Sequence, residues 1–122
     1  MQPLAVHHVS LNVDDVDAAL RFYVDHLGCT ERDDRPDFGF PGAWLDVGGQ
    51  QLHLIGATAP PTLGQHFAVQ VADLAATVAE LRAAGLTVSD PAPVGRSLQA
   101  FLDDPSGNTV ELHEVGGAPP AP

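Results

Sequence analysis

The chain repeats itself. His8-Val-Ser-Leu-Asn-Val-Asp-Asp-Val-Asp-Ala-Ala-Leu20 resembles His66-Phe-Ala-Val-Gln-Val-Ala-Asp-Leu-Ala-Ala-Thr-Val78 at a constant offset of 58 residues, with Val13 on Val71 and Asp15 on Asp73. Carried forward, the same offset sets Gly49 on Gly107, Leu52 on Val110, Leu54 on Leu112 and His53 on Glu111, none of which was used to define it. A chain of 122 residues supports one core and not two independent ones. The repeat is therefore a supersecondary unit used twice inside one domain, 1–122.

Each half has the same plan. Leu4 to Val13 alternates as a strand, with Val9, Leu11 and Val13 on one face and His8, Ser10 and Asn12 on the other. Asp14 or Asp15 caps a helix in which Val16, Leu20, Tyr23 and Leu27 recur at helical spacing, and Gly28 stops it. Short strands over roughly 29–34, 42–47 and 50–56 complete a first module at about 4–56. Gly56-Ala-Thr-Ala-Pro-Pro-Thr-Leu-Gly64 reads as a linker over 57–64, because adjacent prolines withhold backbone donors. The second module, about 65–115, has a strand at 65–71, a helix from Asp73 to Ala84 ended by Gly85, and strands near 86–89, 97–103 and 108–115. Residues 116–122 form a frayed tail by composition. The fold class is α+β, two tandem βαβββ modules.

Charge narrows the partners. Sixteen acids against five bases give a formal charge of −11, which repels phosphate backbones and anionic lipid. No nucleic acid or membrane partner is expected, and no apolar run approaches the ~20 residues of a membrane span. The first residues lack a basic segment followed by an apolar stretch, so a cytoplasmic location is expected. Cys29 is the sole cysteine and is expected to pack in the core.

Alternation also sorts polar residues by face. Beside apolar faces made by Leu52/Leu54, Phe67/Val69/Val71 and Val110/Leu112 lie Gln51/His53/Ile55, His66/Ala68/Gln70 and Thr109/Glu111/His113. Any one of these histidines is an ordinary polar residue on a solvated sheet face. As a set they say more: His8 and His66 are equivalent, His53 and Glu111 are equivalent, and all four suit a divalent Zn, Ni, Co, Mn or Fe ion. His7 is expected to point away from His8, and His26 lies at a helix C-terminus; neither is chosen as a ligand.

These segments, with Phe22-Tyr-Val-Asp-His-Leu-Gly28, Gln51-Leu-His-Leu54, Gly64-Gln-His-Phe-Ala-Val69 and Asp104-Pro-Ser-Gly-Asn-Thr-Val-Glu-Leu112, resemble the vicinal oxygen chelate superfamily over nearly the whole chain. That superfamily includes glyoxalase I, methylmalonyl-CoA epimerase, extradiol dioxygenases, and fosfomycin and bleomycin resistance proteins. The resemblance implies an open barrel-like mixed sheet around a metal cleft, with ligands on the first and last strands of the modules: His8, His53, His66 and Glu111. His53 departs from the pattern, since glyoxalase I typically has Glu there and the epimerase Gln. The resemblance also implies a homodimer acting on a small molecule.

An ion so held acts as a Lewis acid on a small oxygen-chelating substrate, as in a lyase or isomerase, with Glu111 the catalytic base. A second reading takes His8, His66 and Glu111 as the two-histidine, one-carboxylate triad of an extradiol-type dioxygenase. A third is metal-free drug or metabolite binding of the bleomycin-resistance type. Phe40 and Trp44, in an aromatic and turn-rich segment, are expected to bind substrate, and Arg96 to bind a substrate carboxylate or phosphate.

Overall fold

A computed structural model describes residues 1–116. The tail expected at 116–122 lies, from 117 onward, outside the described residues. Two compact units are present: Met1–Leu63 with Asp104–Asn108, and Gly64–Asp103 with the segment from Thr109 onward.

The first unit contains β1 (His8–Val13), α1 (Val16–Leu20), β2 (Thr30–Glu31), β3 (Gly42–Val47) and β4 (Gln50–Gly56), in the sheet order β1-β4-β3-β2. The second contains β5 (His66–Gln70), α2 (Leu74–Ala83), β6 (Ala92–Val94), β7 (Ser97–Asp103) and β8 (Thr109–Glu114), in the order β5-β8-β7-β6. Each is a βαβββ module with one parallel pair and two antiparallel pairs, so the architecture is α+β with the unit used twice. Both parallel ladders join residues 43 apart, His8 with Gln51 and His66 with Thr109. The repeat thus reaches the register itself, which fixes which side chains share a face.

The helices start alike. Asp15 and Asp73 have extended backbones and accept from Ala18 N and Ala76 N, each at 3.0 Å, an N-cap worth about 1 kcal/mol. Both end before a glycine at positive φ, Gly28 at 77° and Gly85 at 92°, where a Cβ would be strained. The first helix differs beyond α1, continuing as a π-helical segment over Arg21–His26 in which Leu27 N reaches back to Phe22 O. The wider turn accompanies burial of two adjacent aromatics, Phe22 and Tyr23, in edge-to-face contact at 4.8 Å.

In the first unit Val13, Ala19, Tyr23, Leu45, Leu52 and Leu54 form the core; in the second, Leu74, Val78 and Leu81 of α2 are buried, as are Ala100, Leu102, Val110 and Leu112. Cys29 is buried as expected, and burial pushes its thiol pKa up.

Two strand expectations are corrected. Leu4 to His7 is not strand: the His8–Gln51 register runs Val6 and the residues before it past the start of β4 at the Gly48-Gly49 turn, His7 keeps a single bond to the sheet from Gln51 N to its carbonyl, and Leu4 and Val6 are exposed. The short strand expected at 86–89 lies instead at β6, with Pro93 tolerated on a sheet edge. Residues 86–89 keep one tie to the sheet through Ser89, whose N–H donates to Phe101 O and whose hydroxyl accepts from Phe101 N. Segment 57–63 is pinned to the first unit: Ala57 N donates to Val13 O, Ala59 N to Asp14 Oδ1, and Asn12 Nδ2 to Thr58 O.

Candidate functional site

In the first unit the pairing sets His53 between Ser10 on β1 and Trp44 on β3. Its ring is sandwiched, with the His8 ring 4.0 Å away at an interplanar angle of 16° and the Trp44 ring 4.4 Å away at 11°. His53 Nε2 donates to Gln51 Oε1 at 2.9 Å, which leaves the lone pair of the neutral ring on Nδ1. Burial, then the positive potential of His8, His7 and Arg32, lowers its pKa. His7 does not point away from His8. It precedes β1, so strand alternation does not govern it, and its Nδ1 lies 2.9 Å from His8 Nδ1.

Beside this column the loop before β3 folds Phe38 and Phe40 together, ring centroids 5.6 Å apart, with Phe38 6.1 Å from Trp44. The Arg35 guanidinium lies over both phenyl rings, at 5.1 and 5.4 Å, and donates to Phe40 O. Phe40 and Trp44, which were expected to bind substrate, line one cavity of about 180 Å³ together with Arg35, Phe38, His53 and Ile55.

In the second unit Glu111 is buried opposite Ala68 on β5 and Phe101 on β7. Its Oε1 meets His66 Nε2 at 3.1 Å and its Oε2 meets His113 Nδ1 at 2.8 Å. His66 Nδ1 donates to Gly64 O at 2.9 Å, so Nε2 is the nitrogen presented to Glu111. A backbone carbonyl that fixes the far N–H is how proteins orient a metal-binding imidazole. That carbonyl first, and Glu111 second, raise the His66 pKa. His113 shares Glu111's face but was not selected from sequence; its period-two spacing from Glu111 was the available signal.

The donor chemistry fits a divalent ion in the second unit. Metal–nitrogen and metal–oxygen bonds of about 2.0–2.2 Å set neighbouring ligands about 2.9–3.4 Å apart, and His66 Nε2 to Glu111 Oε1 is already 3.1 Å. His8 and His53 present a different arrangement. Imidazole lone pairs lie in the ring plane, so face-to-face rings cannot both aim at one point, and one of the two must turn for both to serve. Among the described residues no three His, Cys, Asp or Glu side chains are already gathered as a ready-made metal cage. Arg96 is exposed in the Gly95-Arg96 turn between β6 and β7, and its backbone runs against Gly116.

The opposite shifts predict that His53 titrates below, and His66 above, the ordinary 6.5 in metal-free protein. His66 then contributes stability that is present below pH 6.5 and lost as pH rises through its folded pKa. His53 contributes stability present above pH 6.5 and lost as pH falls through its lowered value. Imidazole ¹H–¹⁵N spectra across pH 4–9 check this; coincident midpoints would remove the electrostatic distinction between the two sites.

Known proteins resemble the chain throughout. A family model described as the glyoxalase/bleomycin resistance protein/dioxygenase superfamily matches residues 5–112. The chain is 32% identical over 126 residues to a probable chloroplastic lactoylglutathione lyase of Arabidopsis thaliana, covering 92% of this chain and 36% of that protein. It thus spans well under half the length of that relative. A probable lactoylglutathione lyase of Synechocystis sp. is 30% identical over 119 residues, covering 86% of this chain and 91% of that one. The crystal structure of TnmS3, an antibiotic binding protein from Streptomyces sp. CB03234, superposes with a TM-score of 0.79 at 27% identity, covering 93% and 98%.

Proposed function

Because the chain belongs to the glyoxalase/bleomycin resistance protein/dioxygenase superfamily, we propose that it is a metal-dependent, glyoxalase-like lyase or isomerase acting on a small oxygen-chelating substrate. The divalent ion would be held by His8, His53, His66 and Glu111, and when bound it would supply Lewis-acid polarisation of substrate oxygens. The observation that carries this reading is the buried Glu111 carboxylate at ligand spacing from His66, whose ring is set by Gly64 O. Lactoylglutathione lyases among the relatives support the lyase assignment.

The residues divide the work. Gly64 O holds His66 in the tautomer that offers Nε2 on the side of Glu111, the nitrogen that would hold a cation there. Glu111, held between two imidazoles in a largely water-free position, would take a proton from a substrate carbon at Oε1 only when that oxygen is not engaged as a ligand, while Oε2 keeps its hydrogen bond to His113. His53, stacked between His8 and Trp44, would be the fourth donor beside His8, His66 and Glu111.

Protein purified without an affinity tag should contain about one divalent ion per chain by elemental analysis. His8→Ala should lower that affinity about 10–100-fold or more, given what even outer partners of metal ligands contribute. Metal-free protein that takes up no ion on dialysis against Zn, Ni, Co, Mn or Fe would end the enzyme reading. A second reading, sequestration of a drug or metabolite without metal, is favoured by the Trp44–His53–His8 column and by the antibiotic-binding relative.

A further inference from the structure

The aromatic cavity of the first unit carries a statement about ligand class. It measures about 180 Å³, and an apolar cavity of about 150 Å³ is known to take up benzene, so the space suits one ring with a small substituent. Its walls are planar: Phe38 and Trp44 with centroids 6.1 Å apart, and His53 parallel to Trp44. One full positive charge stands in the lining. Arg35 lies over Phe38 and Phe40 and uses one N–H on Phe40 O, of the five its guanidinium carries.

Arg35 is also without an ion pair, a state it shares among the described residues with Arg21 and Arg96. Arg32 is engaged by Asp34 and Asp46, and Arg82 by Asp90. Of Arg35's acidic neighbours in sequence, Asp34 is held by Arg32 and Asp37 accepts from the Gly39 N–H. Arg35 also borders a second cavity with Asp14, Asp15 and Asp17, but it pairs with none of them, and a guanidinium in no ion pair and seated on aromatic faces is placed to meet an anion from outside. Gly42 makes room for it, since a Cβ there would come within 2.7 Å of Arg35 Nη2.

We propose that this cavity binds a single planar aromatic ring bearing an anionic oxygen group, the ring lying along Phe38, Trp44 and His53 and the oxyanion paired with Arg35. The proposal names a substrate class for the site described above and rests on that reading for any chemistry. Binding requires neither the metal ion nor Glu111, so the two ideas fail separately. The net charge of −11 opposes an anion at long range, but at 0.15 M ionic strength that field is screened beyond about 8 Å and the local guanidinium decides.

Trp44 is the sole tryptophan, so its fluorescence reports the cavity directly. Metal-depleted protein in 0.15 M NaCl would be titrated with benzoate, with benzamide as the neutral planar control and cyclohexanecarboxylate as the non-planar anion. Saturable quenching by benzoate, with both controls about tenfold weaker or more, is expected. Arg35→Gln should abolish the preference for benzoate over benzamide, while Glu111→Ala leaves it intact. Arg35→Lys, which keeps the charge on a flexible stem, should retain a reduced preference and serves if the Gln variant fails to fold. Quenching without saturation, equal affinity for benzoate and cyclohexanecarboxylate, or a preference unchanged in Arg35→Gln would each overturn the proposal.

Discussion

Replacing Asp104 with alanine lowers the unfolding free energy by about 3–5 kcal/mol, the scale of two or more charge-assisted hydrogen bonds at about 1.5–3 kcal/mol each. Asp104 is buried, and its carboxylate accepts four bonds. Tyr23 OH and Asn108 Nδ2 donate to Oδ2 at 2.8 and 2.9 Å, and the Ser106 and Asn108 backbone N–H groups donate to Oδ1, each at 2.9 Å. These bonds shape the turn over 104–108, which is also fastened to the first unit by Asp14 N donating to Ser106 Oγ and Asn108 Nδ2 donating to Asn12 O. Alanine removes every bond to the carboxylate at once and leaves the buried donors that it satisfied without their acceptor. Tyr23→Phe removes only the phenol's bond while keeping its ring against Phe22, and should cost about 1–2 kcal/mol. Chemical denaturation followed by circular dichroism measures both. An Asp104→Ala variant within 1 kcal/mol of the parent would show that the turn draws its order from elsewhere.

What could be read from sequence followed the repeat, and what was missed lay where the repeat slips. The 58-residue offset set Asp15 on Asp73, and both prove to be N-caps; the parallel register that the two modules share was not read from it. The offset did not anticipate the hairpins either. β3 and β4 turn through Gly48-Gly49, whereas β7 and β8 are joined by five residues, and hairpin register depends on loop length. The partner of Glu111 is therefore Phe101, which corresponds to Trp44 beside His53 at an offset of 57, one residue from where the repeat pointed. Both positions are aromatic, and Phe101 meets the His66 ring edge-on at 5.5 Å. His113 escaped for a related reason. Its counterpart at offset 58 is Ile55, so a search for paired polar positions passes over it although it touches Glu111. The π-helical turn after α1 left no readable mark, because Val16, Leu20 and Tyr23 fit an ordinary helical stripe and only the burial of Phe22 beside Tyr23 reveals the wider winding.

Glu111→Gln should reduce turnover in the proposed reaction about 10²–10⁴-fold, the range over which a positioned general base acts, while leaving the fold near its parent stability. Glutamine matches glutamate in length, so it can occupy the same buried position between His66 and His113 and keep one acceptor oxygen. What it lacks is the negative charge and the basic lone pair, which are the properties the proposed chemistry uses. The substitution also changes an observable independent of activity. Glu111 contributes to the raised His66 pKa, but the carbonyl of Gly64 contributes more, so the His66 midpoint should fall in Glu111→Gln yet stay above 6.5. Glu111→Asp makes the converse test, because it preserves charge but withdraws the carboxylate by one methylene from both imidazoles. It should retain a measurable rate with weakened ion binding. A Glu111→Gln enzyme with more than a tenth of the parent turnover, in protein whose His66 midpoint has moved as stated, would mean that the carboxylate is correctly located and is not the base. The proton would then have to be moved by another group, and His53, kept neutral by burial and stacked on Trp44, is the residue whose geometry and lowered pKa qualify it.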